Sequence, residues 1–136
     1  MTKQTIIDGY INALDGAFTY DGEVIPCRDY SLKPEDQADF YILVTTYNES
    51  VDQATKCGDT WAANILVDVV TRFPAGFGNR YIANQIRAQL IPVIEALSFD
   101  GLLSTTIIED TDLPMLTPSE SVFRNLIRFE HRFNIN

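Results

Sequence analysis

The sequence predicts an α+β domain: an antiparallel β-sheet with one long amphipathic helix packed on a face and a short N-terminal helix. Three observations lead there. From Trp61 the chain alternates, with Trp61, Ala63, Ile65, Val67 and Val69 pointing one way and Ala62, Asn64, Leu66, Asp68 and Val70 the other. A fully apolar row backed by a mixed one marks a strand lying on a core. After a break at Phe73–Asn79, the residues Ile82, Ile86, Leu90, Val93, Ile94 and Leu97 recur at helical spacing, with Asn79 as the expected N-cap of a helix reaching Leu97. The segment order is helix, strands, helix, strands, with no internal repeat and no linker, so residues 1–136 form a single domain.

Each element follows from local chemistry. Ile6, Ile7, Tyr10, Ile11 and Leu14 sit at helical spacing between a Thr2 or Thr5 cap and Gly16, which ends the helix, while Gly9 weakens it. Asp21-Gly22 signals a small hairpin or bend leading into a strand at Val24–Tyr30. Lys33–Gln37 is a polar connection, and Phe40–Tyr47 is β-prone on both faces, as suits a well-covered strand. Asn48–Asp59 is polar and reads as a connection longer than a tight hairpin loop, joining two antiparallel neighbours. Pro92 falls inside the helical pattern, and a kink there keeps the apolar period intact.

Beyond the helix, Ser98–Gly101 stops it, Ser104–Glu109 is a strand, and Asp110–Pro114 with Thr117–Ser119 forms a loop closed by two prolines. In Ser121–Ile135 a strand reading groups Phe123, Asn125, Ile127, Phe129, His131, Phe133 and Ile135. The opposite face takes Val122, Arg124, Leu126, Arg128, Glu130 and Arg132. A helical reading would scatter Phe129 and Phe133, so the strand is preferred.

Composition narrows the function. The 136 residues, 46% of them hydrophobic, can bury a core without disulfide or metal. The formal net charge is −9, and residues 1–70 hold twelve acidic against four basic side chains. Such a chain does not grip nucleic acid, which needs clustered Lys and Arg. No apolar run approaches a membrane span and no signal peptide opens the chain, so folding in a cytosol is expected, with Cys27 and Cys57 reduced and the sequon Asn48-Glu49-Ser50 unused.

No constellation spells out a reaction. The turn Pro74–Arg80 enters a helix and could hold an anion, but it lacks a full phosphate-binding glycine pattern and reads as architecture. Glu109-Asp110-x-Asp112 is the densest acidic cluster, without calcium-loop spacing. His131, the one histidine, has no nucleophile in a known spacing and is expected to be structural. The expectation is therefore no catalytic residue, no cofactor and no metal. Arg124, Arg128 and Arg132 share one strand face at four-residue steps. They form either a solvated face or a stripe meeting the acidic first half of a neighbouring copy, since arginine suits interface pairing.

The element order resembles that of the tail terminator (tail completion) proteins of tailed bacteriophages. The residues that carry the resemblance are the helix Thr5–Leu14, the pair Phe40–Tyr47 and Trp61–Thr71, and the helix after Asn79. The closing hairpin Ser104–Glu109 with Ser121–Phe133 completes it. Its most telling pieces are Asn64-Ile65-Leu66-Val67-Asp68-Val69-Val70-Thr71 and Phe123-Arg124-Asn125-Leu126-Ile127-Arg128-Phe129. The resemblance implies a non-enzymatic virion protein that forms a homo-oligomeric, hexameric ring capping the tail tube and joining it to neck proteins. DNA would pass through without specific binding, and the protein would reside in the host cytoplasm during assembly. Arg124, Arg128 and Arg132 would then serve as a subunit interface. The alternatives are a head–tail connector, a non-catalytic protein-binding module, or an enzyme using the acidic cluster or His131.

Overall fold

The computed structural model describes residues 3–29, 38–55 and 58–134. Thr2, Tyr30, Lys33–Gln37, Cys57 and Ile135, all singled out above, lie outside the described residues. The elements in order are α1 (Lys3–Leu14), β1 (Thr19–Tyr20), β2 (Glu23–Val24), β3 (Cys27–Asp29), β4 (Phe40–Thr55) and β5 (Gly58–Pro74), then α2 (Tyr81–Glu95), β6 (Leu102–Leu116) and β7 (Glu120–Asn134). Strands β3 to β7 form one sheet in the order β3-β4-β5-β7-β6, antiparallel except where β3 joins β4 in parallel. An α+β domain is what the sequence predicted. The helices differ from expectation: they have 12 and 15 residues, so there is no single long helix with a minor companion.

The core lies between the helices and one face of the sheet. Alternation on β5 delivers Ala63, Ile65, Val67 and Val69 to that face, where Ile127, Phe129 and Phe133 of β7 and Ile42 and Val44 of β4 join them. Helix α1 contributes Ile6, Ile7, Tyr10 and Leu14, and α2 contributes Ile82, Ala83, Ile86, Leu90 and Ile94, one side of each helix in both cases. Gly9 has a packing reason. A Cβ there would stand 2.7 Å from the ring of Phe99, so the missing side chain lets that ring close over α1.

Several boundaries depart from the sequence reading. The polar stretch Asn48–Thr55 continues β4, whose pairing with β5 runs to Thr55 opposite Gly58, so the strands extend much further than expected. Likewise Asp110–Leu116 belongs to β6, paired with β7 as far as Ser121, and the loop shrinks to 117–119. In both places a partner strand satisfies the backbone, and that outweighs the local polarity which suggested loops. The expected strand Val24–Tyr30 is split by Ile25-Pro26 into β2 and β3. The Asp21-Gly22 hairpin forms as expected, with φ of +52° and +80° at its two turn residues, the signs of a type I′ turn. Helix α2 runs through Pro92 and ends at Glu95, where Ala96 N–H donates to the Pro92 carbonyl at 3.1 Å. The helix starts one residue later than expected: Arg80, not Asn79, occupies the N-cap position, and Asn79 Oδ1 accepts from Tyr81 N–H at 2.8 Å from just outside it.

Candidate assembly surface

Alternation on β7 puts the three arginines on the sheet face that no helix covers, and there each meets a carboxylate of its own chain. Arg124 clamps Asp68 of β5 with two bonds, Nε to Oδ1 at 3.2 Å and Nη2 to Oδ2 at 2.5 Å. This bidentate hydrogen bonding raises the guanidinium pKa further above its ordinary value. Arg128 lies 3.5 Å from Glu109 of β6, and Arg132 Nε donates to Glu130 at 3.0 Å. Beside the Arg124–Asp68 pair is a small apolar cluster of Tyr41, Val70 and Val122 with Leu43 packed against it, and Arg72 lies over the Tyr41 ring at 5.7 Å. The shallow depression between them measures about 150 Å³. Opposite charges on an apolar floor suit a protein contact better than a small-molecule pocket.

The acidic cluster is divided between two faces. Glu109 joins Arg128 on the bare face, while Asp110 and Asp112 face α2. There Arg87 Nε donates to Asp110 at 2.6 Å, Arg80 approaches Asp112 at 3.7 Å, and the buried Asn125 amide donates to both carboxylates at 3.0 and 2.9 Å. Partial burial pushes the Asp110 carboxyl up, but the Arg87 and Asn125 hydrogen bonds with the Arg87 charge leave it below its ordinary range. Its pairing with arginine and asparagine makes it a tether between α2 and the sheet. Among the described residues no group of three or more His, Cys, Asp and Glu side chains could hold a metal ion.

His131 sits in the core. The Tyr10 hydroxyl contacts its Nε2, Thr105 Oγ1 lies 2.9 Å from its Nδ1, and the Tyr10 ring meets it edge-on at 5.5 Å. Burial lowers its pKa to about 4 and raises that of Tyr10, so both groups are neutral at pH 7. A neutral imidazole with one donor and one acceptor nitrogen satisfies both contacts. Cys27 is a free, buried thiol whose pKa burial and the Asp15 charge push up to about 12, so it is no nucleophile. The Pro74–Arg80 turn is tied into the fold by Phe77 N–H on the Pro74 carbonyl and Gly76 N–H on Ser121 Oγ.

The surface that the sequence did not announce is β6. Among the described residues it pairs with β7 alone and forms one edge of the sheet. Leu103, Ile107, Ile108, Leu113, Met115 and Leu116 are exposed along it, Leu103 at 58% and Leu116 at 69%. Its only early sign was the apolar composition of Leu102–Ile108 at the start of the closing hairpin.

No family model and no curated protein matches the chain. Among solved structures, a chain of the virion of a native gene transfer agent particle is similar over 79% of this chain and 78% of its own, at 20% identity and a TM-score of 0.49. That is a partial likeness of fold.

Proposed function

We propose that the protein is a structural virion component of the tail terminator kind, acting by assembly and without catalysis. The observation that carries this reading is where the chemistry-bearing side chains go. His131 is committed to Tyr10 and Thr105, Asp110 and Asp112 to Arg87, Arg80 and Asn125, and Arg124 to Asp68. The apolar β6 edge, by contrast, is left open. Groups locked in ion pairs and core contacts hold a shape, and an open apolar edge offers that shape to another chain. The order of α1, the β4–β5 pair, α2 and the β6–β7 hairpin is the order on which the resemblance rests. The virion chain of similar fold stands beside this reading without carrying it.

In this role the copies form a ring, hexameric in the family it resembles, between tail tube and neck, with the face that carries Arg124, Arg128 and Arg132, each paired with a carboxylate of its own chain, at subunit boundaries. A net charge of −9 suits a passage for DNA, since cationic walls would hold the duplex by counterion release. The test is to remove the gene from its parent particle. Heads and tails should then fail to join, with tails of irregular length, and joined particles of normal length would refute the role. A head–tail connector makes the same use of these surfaces, and the protein's position in the particle by electron cryomicroscopy separates the two. Asp110→Asn with Asp112→Asn should leave assembly intact, whereas an enzyme built on these carboxylates would be inactivated.

A further inference from the structure

Asp15, Asp68, Glu109, Asp110, Asp112 and Glu130 each pair with an arginine of this chain. Asp21, Glu23 and Asp39 do not: all three are exposed, and none has an ion-pair partner among the described residues. They line a depression of about 280 Å³ together with Tyr20, Phe40 and Phe73, whose rings pack in a row with centroids 5.1 and 5.3 Å apart. Arg72 is the one cation in that lining, so the depression is net negative over aromatic rings.

The turn into α2 has the opposite character. Phe77 is 68% exposed, Tyr81 61% and the Arg80 side chain 67%, the most of any ion-paired arginine here. Arg80 reaches Asp112 only at 3.7 Å. The turn is held firmly, by Phe77 N–H on the Pro74 carbonyl at 3.0 Å and Gly76 N–H on Ser121 Oγ at 3.2 Å.

These two surfaces lie on opposite sides of the sheet at the same end of it. Helix α1 packs on β3 and β4, and α2 packs on β5 and β7, with its start tied to β6 through Arg80–Asp112 and Arg87–Asp110. The turn therefore stands toward β6. The depression lies toward β4, between the β1–β2 hairpin, the start of β4 and the end of β5.

We propose that Phe77, Arg80 and Tyr81 of one copy insert into the depression of the next copy, head to tail. A guanidinium among three carboxylates and aromatic faces gains both ion pairing and stacking, and the exposed aromatics lose water against the rings of the depression. Copies standing side by side in one orientation bring plug to socket without inversion. A contact between two different patches repeats from copy to copy and closes as a ring. Its use in a particle rests on the assembly role proposed above. Three side chains bury less than the ~1,200 Å² of a standard interface, so the contact is weak in solution.

Analytical ultracentrifugation of the full chain from about 10 µM to about 1 mM should show an average mass that rises past that of a dimer. Phe77→Ser with Arg80→Ser removes the plug, and Glu23→Lys with Asp39→Lys reverses the socket. Each double variant should associate about tenfold or more weakly with little change in Tm, since all four positions are exposed. Mixed one to one, the two variants retain a single matching plug and socket and should form a dimer and nothing larger. A wild-type chain that stays monomeric or stops at a dimer overturns the proposal, and so do variants that associate like the wild type. If the wild type is monomeric while gene removal still leaves heads and tails unjoined, only this contact falls. If association behaves as stated and particles lacking the protein are normal, only the assembly role falls.

Discussion

Lowering the pH tests the buried polar cluster most directly. His131 is buried between α1 and the sheet, touching Tyr10 and Thr105, and its pKa falls from 6.5 to about 4. The folded chain thus binds this proton more weakly than the unfolded chain does. The stability that comes from keeping the ring neutral is complete above about pH 6.5 and is lost as pH falls toward 4. A depression of that size corresponds to roughly 3 kcal/mol, a large share of a small domain's stability. Urea denaturation of the wild type and of His131→Gln at pH values from 7.5 down to 4.5 measures it. At pH 7.5 the variant should be less stable, having lost a fitted ring and its two polar contacts. Its stability should then fall less steeply with acid, so the two curves converge, while the carboxylates contribute to both alike. A constant gap between the curves, or a His131 NMR titration midpoint near 6.5, would refute the reasoning.

Three further outcomes follow from particular contacts. Gly78→Ala forces a residue with φ of +80° to carry a Cβ 2.2 Å from the Phe73 ring and should cost about 2–4 kcal/mol, whereas Gly76→Ala, at φ of +77° with open space around it, should cost about 1 kcal/mol by thermal denaturation. Arg124→Met strands the Asp68 carboxylate, whose side chain is only 10% exposed, and should destabilise by about 3 kcal/mol, with most of that recovered when Asp68→Leu is added. Leu90→Ala empties a fully buried position of α2 and should lose about 2–5 kcal/mol in the same measurement, more than any single substitution among the exposed residues of β6.

The parts of the fold that bury apolar side chains were legible in the sequence. The inward row of β5 and the grouping of Ile127, Phe129, His131 and Phe133 on β7 follow from a period of two, because one face of each strand must be apolar. Strand length was not legible at Asn48–Thr55 or Asp110–Leu116, because hydrogen bonding to a partner strand does not depend on side-chain polarity. The parallel pairing of β3 with β4 left no local trace either, since it depends on where α1 sets the chain down. At the candidate surface the arginine row was visible as a spacing, but its carboxylates were not: Asp68 lies 56 positions from Arg124 in sequence. The exposed edge was hidden for the same reason, since whether Leu102–Ile108 is covered depends on sheet order.

That order also governs how the chain reaches its fold. Strands β4 and β5 are separated by two residues in sequence and β6 and β7 by three, so each pair forms contacts close in sequence and forms early. The seam between β5 and β7 joins residues as far apart as Thr60 and Asn134, with α2 threaded between them. Docking of two preformed hairpins across that seam is therefore the slow step. Substitutions that destabilise either hairpin should slow refolding, because both hairpins are already formed when the seam closes. Val67→Ala or Ile127→Ala, which loosen the seam, should slow refolding nearly in proportion to the stability they remove. Until the seam closes, the inner edges of both hairpins are exposed along with β6, and a dilute, cool refolding mixture should give the highest yield of native protein.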